Sequence, residues 1–181
     1  IFVSKYTYGY SKHSFPFSPN ISNIRYFAKK PERGDLVVFK TPADDRTDYI
    51  KRLIGLPGDS IQFINGDLYL NGEKIKRERT KIKEKIRCGK FILDTANFIE
   101  TLPNGVKHSV SYKKMGSLQN TKKFEVPINH FFLLGDNRDC SKDSRYLDSV
   151  GYVKELNLVG KAKLIFFSND TNISSLLKFW N

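Results

Sequence analysis

The run Asp48-Tyr49-Ile50-Lys51-Arg52-Leu53-Ile54-Gly55-Leu56-Pro57-Gly58-Asp59 sets two cations inside an apolar stretch and closes it with a turn. Tyr49, Ile50, Leu53 and Ile54 are the aromatic, β-branched and aliphatic types that fit a pleated, half-buried surface. In Pro57-Gly58-Asp59 the proline presets φ and the glycine accepts the positive φ of a type II turn. A strand here alternates with period two. Tyr49, Lys51 and Leu53 then share one face, and Ile50, Arg52 and Ile54 the other. A lysine between a tyrosine and a leucine is partly dehydrated, which disfavours the ammonium and lowers its pKa from about 10.4. That is the condition under which a lysine serves as a general base. The plainer reading is that Lys51 is one more solvated cation among 31 Lys and Arg residues.

A chain of 181 residues is one domain, or one domain carrying an insertion. Its 14 Phe and 9 Tyr sit in short runs between Gly, Asn and Pro, which favours a β-rich fold. No run approaches the roughly 18 apolar residues of a membrane helix, and no signal-peptide pattern is present. The formal charge of +12 favours anionic partners (nucleic acid, a phospholipid surface or an acidic substrate), with plain solubility as the alternative. Cys88 and Cys140 lie far apart without metal-ligand spacing, and His13, His108 and His130 form no ligand cluster. The redox state of the cysteines stays open.

Residues 1–9 read as a strand already under way, and residues 10–32 as a turn-rich basic connection. Arg33-Gly34-Asp35 is a turn before the strand Leu36-Val37-Val38-Phe39; its similarity to an adhesion triplet carries little weight. Asn65-Gly66 between two short strands is a strong hairpin signal. In residues 73–90, lysines interleave with Ile75, Ile82 and Ile86. That reads as a strand with one solvated face in preference to a phosphate-binding ribbon, since no aromatic stacking platform accompanies it. Residues 91–125 carry no clear pattern.

The second informative stretch runs from Phe131-Phe132-Leu133-Leu134 into Gly135-Asp136-Asn137-Arg138-Asp139-Cys140-Ser141-Lys142-Asp143-Ser144-Arg145-Tyr146. An apolar strand here meets a dense polar loop, where functional groups are usually carried. Asp143 and Arg145 are suited to an ion pair bracing the loop. Ser141 and Ser144 offer hydroxyls to a nearby amine.

Together these blocks resemble the bacterial type I signal peptidases, membrane-bound serine proteases that remove signal peptides. Arg33 to Phe39, Asp48 to Asp59, and Gly135 to Tyr146 correspond in order to three of that family's motifs, and Val159-Gly160-Lys161-Ala162 to its following strand. The resemblance covers about residues 1–70 and 125–168. It implies a mostly β, antiparallel fold with a catalytic core of residues 1–65 and 126–181 and a smaller inserted β region of residues 66–125. It implies a serine nucleophile deprotonated by a lysine, a variant of the serine–histidine scheme. The matching lysine is Lys51, and Ser141 matches the serine that orients it. Asp143 and Arg145 match the bracing pair, and Gly135, Asp136, Asn137 and Arg138 hold the loop. Ile50 and Val38 match the lining of shallow pockets for an Ala-x-Ala site, with Tyr49, Asp48 and Ile1 at the cleft.

The resemblance implies no metal or organic cofactor. The expected partners are signal peptides of exported preproteins and a phospholipid surface, with no nucleic acid, in a monomer on the outer side of a bacterial inner membrane. The aromatic tail Phe166-Phe167 and Leu176 to Trp180 suits a bilayer interface or an ordinary packed terminus. The Ser-Met-x-Pro-like block that carries the family's nucleophile is absent from residues 1–181. It is expected upstream of the strand matching Ile1-Phe2-Val3, together with the second oxyanion-hole hydroxyl and the membrane anchor. Residues 1–181 alone are therefore expected to be inactive. Ser11, Ser14 and Ser18 lie in the wrong part of the fold to substitute, and no pattern orients Cys140 with His130. Two alternatives remain: a self-cleaving Ser–Lys repressor, and a non-catalytic module that holds signal peptides or lipid.

Overall fold

A computed structural model describes residues 2–10, 25, 29–81, 85–113, 120–165 and 178–179. Ile1, Ser11, Ser14, Ser18, His13 and all of the aromatic tail except Lys178 and Phe179 lie outside the described residues. The chain forms β1 (Phe2–Ser4), β2 (Leu36–Lys40), β3 (Asp48–Gly55), β4 (Ser60–Ile64), β5 (Asp67–Leu70), β6 (Glu73–Lys74), β7 (Lys76–Arg79) and β8 (Lys85–Cys88). It continues with β9 (Phe91–Thr101), β10 (Lys107–Lys113), β11 (Phe124–Glu125), β12 (His130–Leu134), β13 (Val153–Lys154), β14 (Leu158–Ile165) and β15 (Lys178–Phe179). Among the described residues the only helices are single 3₁₀ turns, so the fold is mostly β as expected.

The principal sheet runs β1-β14-β2-β3-β12-β13, with β15 also on β14. A second sheet is β11-β4-β5-β6, and a third is β10-β9-β7 with β8 on β9. The pairings are antiparallel throughout the named strands. The turn chemistry is as read: Asn65 and Gly66 close β4–β5 with φ of 50° and 79°, the positive pair that a two-residue type I′ hairpin requires. Gly58 has φ of 88°, and the Asp59 N–H donates to the Leu56 carbonyl at 3.0 Å. The hairpin β4–β5 spans positions 60–70, across the 65/66 boundary between expected core and expected insertion.

The two faces of β3 and β12 are buried against different partners. Leu53 and Leu133 join Val37, Phe39, Tyr8 and Leu158 in one cluster. Ile54, Phe132 and Leu134 join Phe63, Leu68 and Phe124 in the other, which fixes the second sheet on the first. Each such side chain contributes ~1.5–3 kcal/mol on burial. A one-residue slip of β3 would exchange these sets, so the register that positions Lys51 is strongly specified. Arg33-Gly34-Asp35 is a buried turn: Asp35 accepts from the Tyr8 hydroxyl at 2.8 Å and pairs with Lys161 at 2.5 Å.

Candidate active site

Lys51 stands opposite Val37 in the β2–β3 pairing, and its neighbours Val38 and Ile50 form the next cross-strand pair. Period-two alternation therefore puts Lys51 on the face of Tyr49 and Leu53, and Val38 with Ile50 on the other. The ammonium lies 5.6 Å from the Tyr49 ring centroid, within cation–π range. Among the described residues it has no hydrogen bond or ion pair. Burial pushes its pKa below the ordinary lysine value, against the attraction of Asp143, while Arg145 adds to the lowering and Asp136 opposes it.

The β3–β12 pairing brings the polar loop to this lysine. Arg52 is opposite Leu134, so the next residues along the two strands, Lys51 and Gly135, are neighbours. A Cβ at Gly135 would stand 2.0 Å from Ser141 Oγ and 2.3 Å from Ser141 Cβ. The space that glycine leaves is thus filled by the Ser141 side chain. Ser141 Oγ is buried and has no hydrogen-bond partner among the described residues, an arrangement that calls for an explanation.

The loop is braced from within. Asp143 and Arg145 form a fully buried pair, with Arg145 Nε donating to Asp143 Oδ1 and Nη2 to Oδ2, both at 2.8 Å. The Gly135 N–H donates to Asp143 Oδ2 at 3.1 Å, and Arg145 Nη2 also donates to the Arg138 carbonyl. Asp136 takes the Arg52 guanidinium in a two-pronged contact of 2.8 and 2.7 Å, the strong fork geometry. Asn137 caps the 3₁₀ turn Arg138–Cys140 from the N-terminal side without a side-chain hydrogen bond. Asp48 is exposed and pairs with Lys40 at 2.9 Å; Tyr49 packs edge-on against Phe39 with centroids 6.2 Å apart. Ile1 lies outside the described residues.

Three features have no counterpart in the sequence reading. Arg138 is buried and paired with Glu100 of β9 at 2.8 and 2.5 Å, with the Tyr112 hydroxyl 2.9 Å away. Burial alone would raise the Glu100 carboxyl, but Arg138 and His108 hold it down to about 2. Burial pushes the His108 pKa below its ordinary value, 3.5 Å from Glu100, which pulls the other way. Finally, Cys88 and Cys140 are joined in a disulfide. No local pattern announces these partners, because each lies dozens of residues from the loop.

β12 pairs with β3 only over Arg52–Gly55. Among the described residues, Asp48–Lys51 therefore have β2 on one side and no strand on the other. An open strand edge beside a desolvated lysine and a buried hydroxyl is suited to an extended peptide, whose backbone would extend the sheet. Among the described residues no group of His, Cys, Asp and Glu side chains is arranged for a metal ion.

The family model for signal peptidase, peptidase S26, matches residues 1–167, and the chain belongs to that family of signal-peptide-removing peptidases. It is 45% identical over 195 residues to signal peptidase I of Rickettsia typhi, covering 98% of this chain and 71% of that protein. It is 44% identical to signal peptidase I of Rickettsia bellii, covering 93% of this chain and 59% of that protein. The structure of a signal peptidase I from Enterococcus faecalis V583 aligns with 75% of this chain and 98% of its own, at 26% identity and a TM-score of 0.43.

Proposed function

We propose that the chain is the catalytic region of a serine endopeptidase that cuts exported preproteins after Ala-x-Ala-like sites, with Lys51 as its base. The observation that carries this reading is the state of Lys51: half-buried, without an ion-pair partner among the described residues, and lowered in pKa by burial. A lysine needed only for stability would be paired or solvated. The nucleophile this reading requires is a serine in a Ser-Met-x-Pro-like block, which residues 1–181 do not contain.

The substrate lies along the open edge of Asp48–Lys51, with Val38 and Ile50 at small side chains and Tyr49 beside them. Neutral Lys51 Nζ takes the proton from the serine hydroxyl as Oγ attacks the scissile carbonyl carbon. A backbone N–H stabilises the tetrahedral oxyanion. The C–N bond breaks as Lys51-NH₃⁺ returns that proton to the leaving amine, and Lys51 then deprotonates the water that cleaves the ester. The Ser141 hydroxyl orients the amine; Asp143 and Arg145, with Gly135 to Arg138, hold Ser141 in place. The enzyme acts as a monomer at the outer face of the bacterial inner membrane, where its positive charge and aromatic side chains meet phospholipid. Binding to anionic vesicles that falls with rising salt supports the lipid contact; no binding at low salt removes it.

The deciding test is cleavage of a precursor by the full-length protein and its Lys51→Ala variant. Loss of cleavage in a folded variant is expected; normal cleavage sinks the assignment.

A further inference from the structure

The segment Asp136–Cys140 is tied to β3 by the Arg52–Asp136 pair and, beyond it, to the third sheet. The Ser111 N–H of β10 donates to the Asp136 carbonyl at 2.9 Å, and the Lys113 N–H donates to Asp139 Oδ2 at 2.6 Å. Glu100 of β9 takes Arg138. Cys88, the last residue of β8, is bonded to Cys140, with 5.6 Å between their Cα atoms. On the far side, Asp143 accepts from the Gly135 N–H, and Ser144 returns the chain to Leu133 of β12 through two hydrogen bonds. Ser141 sits at the handover between these two sets of anchors.

Its own side chain contributes no anchor. Ser141 has an extended backbone, with φ −127° and ψ 127°, and its hydroxyl has no hydrogen-bond partner among the described residues. Its position is set by its neighbours and by the space at Gly135. Of these contacts, the disulfide is the one made by the residue directly preceding Ser141.

We infer that the Cys88–Cys140 disulfide positions Ser141 against Lys51, so that the peptidase reaches its full rate only with this bond oxidised. The inference rests on the Ser–Lys reading above. It makes Cys88 and Cys140 positioning residues and makes the third sheet part of the active-site scaffold. Both cysteines are partly accessible, and Cys88 opens onto the turn Gly89-Lys90, so a small dithiol can reach the bond. Such a dithiol supplies two electrons and two protons. The S–S bond breaks, Cys88 and Cys140 become thiols, and the dithiol closes to its own disulfide. The Arg138–Glu100 pair and the two backbone contacts stay in place, so the loop remains docked while its Ser141 end loosens. A misplaced orienting group lowers the chemical step and leaves peptide binding on the β3 edge intact.

The test uses the full-length protein in detergent and a peptide substrate with an Ala-x-Ala site. kcat and KM are measured for oxidised protein, for protein reduced with dithiothreitol after folding and then alkylated, and for Cys88→Ser. The same measurements are made in a Ser141→Ala background. Reduction and Cys88→Ser should each lower kcat about tenfold or more, with KM within about twofold. In Ser141→Ala, reduction should change kcat by less than about twofold, because the group being positioned is gone. The reduced arm starts from folded protein, confirmed by near-ultraviolet circular dichroism, and decides the matter even where Cys88→Ser does not fold. Cleavage unaffected by reduction overturns the inference alone, as does an equal loss in the wild-type and Ser141→Ala backgrounds, or a change confined to KM. Oxidised wild type that cleaves nothing overturns the Ser–Lys reading and takes this inference with it.

Discussion

On one face of β3, Arg52 grips Asp136 through two hydrogen bonds and the Gly34 carbonyl through a third of 2.8 Å. One residue earlier, on the opposite face, Lys51 is half-buried with no ion-pair partner among the described residues and a lowered pKa. The loop that follows β12 repeats the first treatment: Arg138 is buried and paired with Glu100 through both terminal nitrogens. A buried guanidinium cannot shed its charge, so the fold must supply an anion. A buried lysine can become neutral, and a fold that leaves it unpaired makes a base. Strand alternation lets one element carry both, a clamp on one face and a reactive amine on the other.

The largest expected effect breaks the chemistry and spares the fold. Lys51→Ala should reduce precursor cleavage by the full-length protein about 10⁴-fold or more, as loss of a catalytic base does in serine proteases. Its thermal midpoint should not fall as a paired cation's would. A cleavage-dead variant that is also unfolded would erase the contrast with Arg52.

The next effect is the reverse. Glu100→Gln leaves Arg138 buried beside a neutral amide, and stripping one partner from a buried pair costs ~3–5 kcal/mol. Urea unfolding of the variant measures it; a loss below about 1 kcal/mol would mean that Arg138 finds another anion. The wild-type pair also has a pH signature. Glu100 is held at about 2, below its value near 4.3 in an unfolded chain. Between these values the unfolded state binds more protons, so the pair's contribution is complete above the upper value. It is lost as pH falls through about 2, and Glu100→Gln should abolish that part of the acid transition.

Much of this contrast is legible in the chain, and the limits have physical causes. Lys51 with Tyr49 and Leu53 on one face follows from period two, and the turns at Pro57-Gly58 and Asn65-Gly66 follow from the φ values they need. The Asp143–Arg145 pair is close in sequence and was within reach. Residues 91–125 carry no clear pattern as a sequence, yet they contain β9, the longest strand of the fold, and β10. Asn97 and Glu100 are buried polar residues on β9 that blur its alternation, and the role of Glu100 depends on Arg138, which sequence proximity does not reveal. The disulfide is equally hidden: 52 residues separate its cysteines. The motif match groups Val38 and Ile50 with Lys51, but the strands put that pair on the opposite face, so an extended substrate must meet both faces from the open edge.

A smaller effect probes the contact between Gly135 and Ser141. Gly135→Ala puts a methyl where the Ser141 side chain sits and should lower kcat about 10²-fold by displacing it. Ser141→Ala should cost no more than that, and less than Lys51→Ala, since it removes an orienting group. If Gly135→Ala retains full activity while Ser141→Ala does not, the space at Gly135 has no part in placing the hydroxyl.

The smallest effect is the most specific to Lys51. Its folded pKa lies below its unfolded value near 10.4. Between the two, the unfolded chain holds a proton that the folded one has released, so stability rises with pH there. Below the folded value the charged amine is a fixed cost to the native state; above the unfolded value the cost is gone. Lys51→Met removes the charge at similar length, so its stability advantage over wild type should be greatest near neutral pH and shrink as pH passes 10. Any gain from burying the thioether is independent of pH and appears as a constant offset. Urea midpoints of the two proteins from pH 7 to 11 separate the parts. An advantage that does not change with pH would mean that the folded protein does not penalise the ammonium, and Lys51 would then be no more a poised base than any lysine on the surface.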